Sequence, residues 1–255
     1  MKLKSEILIS VCMTALFCGL PAKAESKTIF GDYLKENAVE VELSARTDFY
    51  SKYIWRGFRL DDDYVLQPGV SVGGYGFEVN VWGSFDTAQN DALGSDEVDT
   101  TVSYSRDFDA VSLSVGHVYY DFPSAGTFSK EFFLGVGYDT LLAPSFTWYH
   151  DYGRESQGGG HGDYMVLALG HTLTLNEEYG ITLDLSGHVG YNQRLFIKGK
   201  GGDVALGAGL TVPLTETLSL SPSLNYSLPY GDMEDSSDGN QDDEFYWGAG
   251  VSCRF

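Results

Sequence analysis

Ser186 and His188 stand two residues apart. In an extended chain this puts both on one face, where a base could draw a proton from a nucleophile. Spacing identifies no third group that would orient the imidazole, so the pair alone does not make a hydrolytic site. His150 and Asp151 are adjacent and would fall on opposite faces of a strand, and His161 lies among Gly158, Gly159, Gly160 and Gly162 in what reads as a loop. His117 and His171 have no spaced partner. Carboxylates are the more abundant chemistry: Asp61, Asp62 and Asp63; Asp86, Asp91, Asp96 and Glu97; Asp232, Glu234, Asp235, Asp238, Asp242, Asp243 and Glu244. Such clusters could gather Ca²⁺ or Mg²⁺, but the stretch from Asp235 to Asp242 lacks the alternating ligand ladder and closing Glu of a calcium loop. They read as solvated loops. No phosphate-binding glycine loop, zinc spacing or redox cysteine pair occurs. No catalytic residue, resident metal or cofactor is expected, and the chain is not read as an enzyme.

The elements that carry these residues follow from the rest of the chain. Thirty-six acidic against 16 basic residues in 255, a net charge of −20, disfavour nucleic acid and anionic lipid headgroups as partners of a basic face. Lys2 and Lys4 precede an apolar run from Ile7 to Leu20, and Pro21-Ala22-Lys23-Ala24 offers small residues for cleavage. Residues 1–24 therefore read as a Sec-type signal peptide. Its removal would leave Cys253 as the remaining cysteine, a small hydrophobe in a strand. Residues 25–38 read as a short periplasmic segment with at most a marginal helix.

From residue 39 the chain alternates with period two. Ile181, Leu183, Leu185, Val189 and Tyr191 oppose Thr182, Asp184, Ser186, His188 and Asn192. Val39, Val41, Leu43, Ala45 and Phe49 oppose Glu40, Glu42, Ser44, Arg46 and Asp48. Twelve such segments begin near Val39, Tyr64, Phe77, Val98, Val111, Phe128, Ala143, Asp163, Tyr179, Gly202, Thr217 and Asp243. Tight connections (73–76, 107–110, 140–143, 176–180, 213–216) alternate with long polar ones (57–63, 86–97, 123–127, 153–162, 193–201, 230–242). The predicted fold is all-β: an up-and-down antiparallel transmembrane β-barrel of about 12 strands over residues 39–255, with short turns toward the periplasm and long loops outside. A two-sheet sandwich also alternates, so two further features matter. The chain ends on Phe255, with Cys253, Val251, Ala249, Trp247 and Phe245 on its parity and Gly250 nearby. That ending resembles the signal read by the barrel-assembly machinery. Aromatics including Tyr50, Tyr53, Trp55, Phe85, Tyr119, Tyr120, Trp148, Tyr149, Tyr164, Tyr226, Tyr230 and Tyr246 gather near predicted strand ends, as interfacial girdles require.

In a barrel the polar parity faces the lumen. Glu40, Glu42, Arg46, Asp48, Glu78, Asn80, Glu131, Asp184, His188 and Arg254 are the predicted lining, and closure should bring Arg254 near Glu40 or Glu42 as an ion pair. Ser186 and His188 would then also point inward, away from any lipid substrate. Pro68, Pro144 and Pro222 fall in or beside predicted strands, and a bulge is predicted at Pro222.

Ser51-Lys52-Tyr53-Ile54-Trp55-Arg56-Gly57, then Val65-Leu66-Gln67-Pro68-Gly69 and Val81-Trp82-Gly83-Ser84, resemble the opening of the TorF-type, or Gcw-chp, group of outer-membrane porin-like proteins. The matching motif positions are Tyr53, Arg56 and Gly57, with Gly57 as the exit from strand one into the first outer loop. The resemblance implies an outer-membrane barrel with a transport role and brings no catalytic residues. Together these readings give the expectation of a narrow porin-like channel for small, cationic solutes in the outer membrane of a diderm bacterium. The alternatives are a structural or adhesive barrel with a blocked lumen and, further off, a membrane-embedded hydrolase. Expected partners are outer-membrane lipid and lipopolysaccharide, the assembly machinery, and divalent cations at the acidic loops.

Overall fold

The computed structural model describes residues 41–87 and 97–255. Twelve strands close on themselves. They are β1 (Glu42–Tyr50), β4 (Val65–Gly74), β5 (Phe77–Asp86), β6 (Glu97–Phe108), β7 (Val111–Phe122), β8 (Thr127–Tyr138), β9 (Ser145–Asp151), β10 (Asp163–Asn176), β11 (Ile181–Gln193), β12 (Lys200–Pro213), β13 (Leu218–Gly231) and β14 (Glu244–Arg254). Each pairs antiparallel with its neighbour in sequence, and β1 closes the ring by pairing with β14 on one side and β4 on the other. Two short strands, β2 (Tyr53–Trp55) and β3 (Phe58–Asp61), form a separate hairpin. The leader, the segment 25–38, Glu40, Asp91 and Asp96 lie outside the described residues. Cys253 is buried in β14.

Period two explains the sheet, and closure explains which parity points where. Val81, Val102, Leu134, Leu169 and Leu206 lie outward and open to the surroundings, whereas Ser84, Glu131, Asn192 and Asp203 are buried inside. This inverts a water-soluble protein. It is the arrangement demanded where the surrounding medium offers backbone groups no hydrogen-bond partner, so that every strand must be paired and polar side chains turn inward. The molecule is an outer-membrane-type β-barrel.

The prolines behave differently from the bulge expected at Pro222. Antiparallel strands send successive N–H groups alternately to the two sides, so a proline forfeits bonding toward one neighbour alone. Pro222 stays paired with Ala249, while on the β12 side the ladder lapses between Gly209↔Ser223 and Val212↔Leu220 without changing register. Pro68 keeps Thr47 and interrupts the β5 side in the same way, between Leu66↔Phe85 and Gly69↔Trp82. Pro144 precedes β9, where its carbonyl accepts the Tyr138 N–H. The register shift in the barrel occurs instead at Thr174/Asn176, beside a turn.

Outward aromatics cluster near the long-loop rim, with Phe49 stacked on Tyr64 and against Trp247, Tyr119 on Phe128, and Phe132 edge-on to Trp148. Tyr50, Tyr53, Trp55, Tyr120, Tyr149, Tyr164 and Tyr246 do not join this girdle. They lie inside the barrel, because they occupy the inward parity or the hairpin. If the outward face is solvated by acyl chains, Leu169→Arg at mid-strand costs about 2–4 kcal/mol. Lysine at lumen-facing Ser103 changes stability by about 0.5 kcal/mol. Urea unfolding from lipid vesicles measures both, and equal costs at the two sites would contradict the assigned faces.

Candidate functional site

The hairpin β2–β3 folds into the long-loop end of the lumen and crosses to the far wall. Its sequence explains the turn. Trp55 and Phe58 pair around Arg56-Gly57, and both turn residues have positive φ, 50° and 80°, as a two-residue primed turn requires. Gly57 also needs to be glycine for space, since a Cβ there would stand 2.7 Å from the Asp203 Cβ on β12. This corrects the expectation that strand one runs out at Gly57: β1 ends at Tyr50, and Tyr53, Arg56 and Gly57 all belong to the inserted hairpin.

Apolar contacts hold its body. Phe58, Ile197 and Met233 form a buried cluster with Trp55 and Leu60 against it, and Phe196 meets Trp55 and Phe58 edge-on. The 194–199 loop supplies Ile197 and Phe196 because Asn192 clamps Leu195, donating to its carbonyl and accepting from its N–H. At the base, Lys52 and Arg59 both pair with Glu244, Arg59 at 2.5 Å.

The tip is held by charge. The Arg56 guanidinium donates two parallel hydrogen bonds to Glu131 on β8, 2.7 Å to Oε1 and 2.8 Å to Oε2, and Tyr120 donates to Oε2 at 2.8 Å. Three ring faces enclose it: Tyr149 at 4.2 Å, Trp55 at 4.4 Å and Tyr164 at 4.7 Å from the ring centroids. Burial works against the charge on Arg56, but Glu131 outweighs it and pushes the guanidinium above its ordinary range. Arg56 therefore stays cationic. A left-handed arginine costs about 1–2 kcal/mol, and such strain persists only where the surroundings over-determine it. The bidentate pair and the aromatic faces supply that determination.

A cavity of about 330 Å³ lies against the loops above this layer, lined by Phe58, Leu60, Phe122, Phe196, Glu97 and Asp151. Another of about 530 Å³ lies on the other side, lined by Asp99, Thr101, Val118, Val166 and His188. Trp55 and Tyr120 border both.

The remaining sequence-singled residues are distributed along the wall. Arg46 bonds Asp48 on its own strand at 2.6 Å. Asn80 donates to the Ser71 hydroxyl, and Asp184 accepts from Thr172 and Thr211. Glu42 and Glu78 flank Gly73 at the short-turn end. Arg254 stands opposite Ser44, and among the described residues it forms no ion pair with Glu42; the closing pair expected there is not made within them. Gly250 lies beside Asp48, and the Phe255 N–H donates to the Leu43 carbonyl. His188 bonds Asp203 at 2.8 Å, and Asp203 also accepts from Tyr164. Ser186 instead lies against Gly207, so the structure does not join serine and histidine into a nucleophile–base pair. Asp232 and Asp238 accept from backbone N–H groups at 198–200. Among the described residues no three His, Cys, Asp or Glu side chains converge on a metal-sized point.

No family model and no curated protein matches the chain, and the likeness of its opening to the TorF-type group is not confirmed by them. Solved structures do match. The NanC porin aligns with a TM-score of 0.53 at 15% identity, covering 83% of this chain and 98% of its own. The KdgM porin in complex with disordered oligogalacturonate gives 0.53 at 11%, covering 84% and 99%. The COG4313 outer membrane channel from Pseudomonas putida F1 gives 0.54 at 10%, covering 92% and 99%. At these identities the likeness is one of fold.

Removing one partner of a buried ion pair costs about 3–5 kcal/mol. Glu131→Ala should therefore release the hairpin tip while the barrel stays folded. Limited trypsin digestion reads this directly: cleavage after Arg56 is slow in the parent protein and fast in the variant. Unchanged cleavage would show that the ion pair does not hold the tip.

Proposed function

We propose that the protein is a narrow outer-membrane channel for small solutes, with a preference for cations. The observation that carries this reading is the hairpin folded inside a polar-walled barrel, with cavities on both sides of its tip. A loop in that position sets the bore of an otherwise wide tube. The charge balance supports the preference. Of the lumen-facing arginines, Arg46 is neutralised by Asp48 and Arg56 by Glu131, which leaves Arg254 at the short-turn end. Asp184 accepts from the Thr172 and Thr211 hydroxyls, and Glu97 and Asp99 line the two cavities. A polyanion such as the oligogalacturonate of the KdgM complex would meet this acidic lining. Export by a Sec-type leader, insertion by the assembly machinery, and lipopolysaccharide with its divalent cations around the acidic loops belong to the same proposal.

The latch between Arg56 and Glu131 favours a second reading, a barrel kept shut for a structural or adhesive role. Planar-bilayer recording separates the two. The channel reading expects small, cation-preferring openings, several-fold larger steps after deletion of residues 53–61, and a weaker cation preference in Glu97→Gln/Asp184→Asn. No openings from either the full chain or the deletion would leave the shut barrel.

A further inference from the structure

The acceptor for Arg56 is built by the barrel wall, not by the hairpin. Glu131, Tyr120, Tyr149 and Tyr164 come from four consecutive strands, β8, β7, β9 and β10, held by continuous ladders. Glu131 is completely buried, yet both its oxygens face the lumen toward a group that arrives from elsewhere in the chain. Without the hairpin tip, the wall would present a carboxylate fork flanked by aromatic faces. A planar guanidinium satisfies that arrangement with two parallel hydrogen bonds, and a compact ammonium does not. The cavity of about 530 Å³ opens directly on Arg56, with room beside the site for the remainder of an amino-acid-sized solute. Asp99 lines that cavity, and its Oδ1 is buried without a hydrogen-bond partner. A second cationic or donor group on the solute would complete it.

We propose that this wall site recognises the guanidinium group of a small organic cation, and that Arg56 is its built-in surrogate. The proposal rests on the channel reading for the route by which such a solute arrives. Tethered beside the site, Arg56 acts at an effective concentration of roughly millimolar or more. A solute must outcompete it, and in doing so it frees the tip from the far wall.

The test replaces the surrogate. Purified Arg56→Met protein in detergent, its folding verified by the heat-dependent gel shift, is titrated calorimetrically with methylguanidinium and with ethylammonium. Methylguanidinium is expected to bind Arg56→Met at least about tenfold more tightly than it binds the parent protein or than ethylammonium binds the variant. Glu131→Gln in the same background should weaken it by about tenfold or more. Equal binding of the two cations, indifference to Glu131→Gln, or no saturable binding would each overturn the proposal. Should Arg56→Met not fold, Arg56→Lys keeps the charge, forfeits the fork, and is judged by the same dependence on Glu131. Bilayer recording of the same variant reports separately on the channel. A pore that never opens while methylguanidinium binding still depends on Glu131 removes the channel and leaves the site. A conducting pore without guanidinium preference does the reverse.

Discussion

Every feature of this molecule follows from the absence of hydrogen-bond partners outside the sheet. A strand in hydrocarbon must have both edges paired, so the twelve strands close, and β1 takes β14 and β4 as neighbours. Closure then divides each strand by parity. Leu169 and Val81 face outward, and every charge that the strands carry at mid-height has to face the lumen. The lumen is consequently the one part of the membrane span where a loop can dock by polar contacts, and the hairpin from Tyr53 to Asp61 does so.

How the hairpin docks depends on which strands it meets. Its body reaches the apolar side chains of the 194–199 loop and Met233, and there the binding is ordinary hydrophobic packing. Its tip reaches β7 to β10, where the inward parity carries Tyr120, Glu131, Tyr149 and Tyr164, and an apolar residue at position 56 would leave Glu131 buried without a counter-charge. The wall dictates an arginine. The same wall orders the neighbouring network, since Tyr164 lends its face to Arg56 and its hydroxyl to Asp203, which also holds His188. The tip, the far wall and the lower cavity are thus one connected polar unit.

The barrel was legible because its signals are long. Segments of seven to fourteen residues show period two plainly, as Ile181–Gln193 does, and the alternation of tight and long connections places them in a meander. The hairpin was not legible for the opposite reason: strands of three and four residues carry too little periodicity to stand out. A local signal was present, however. Two turn residues ending in glycine between Trp55 and Phe58 make a hairpin pattern, and reading Arg56-Gly57 that way would have found it. Proximity to strand ends does not separate girdle aromatics from inward ones, whereas parity does. Tyr119 and Tyr120 are adjacent, yet one stacks on Phe128 outside and the other donates to Glu131 inside. Glu131 was readable as lumen-facing, but its partner was not, because Arg56 lies 75 residues away on an element the pattern did not reveal.

The division of the hairpin into an apolar body and an ionic tip has an energetic consequence. The buried side chains of Phe58, Ile197 and Met233 each contribute on the order of 1.5–3 kcal/mol when removed from water, and no small polar solute competes with that packing. The tip is balanced differently. Its ion pair is offset by desolvation of both charges, its cation–π contacts are worth about 0.5–2 kcal/mol, and the left-handed Arg56 costs a comparable amount. Large opposing terms nearly cancel there, next to two cavities. An apolar tip would have closed the lumen more firmly. A charged one leaves the body anchored by apolar packing and makes the crossing to the far wall the contact for which a polar group can compete.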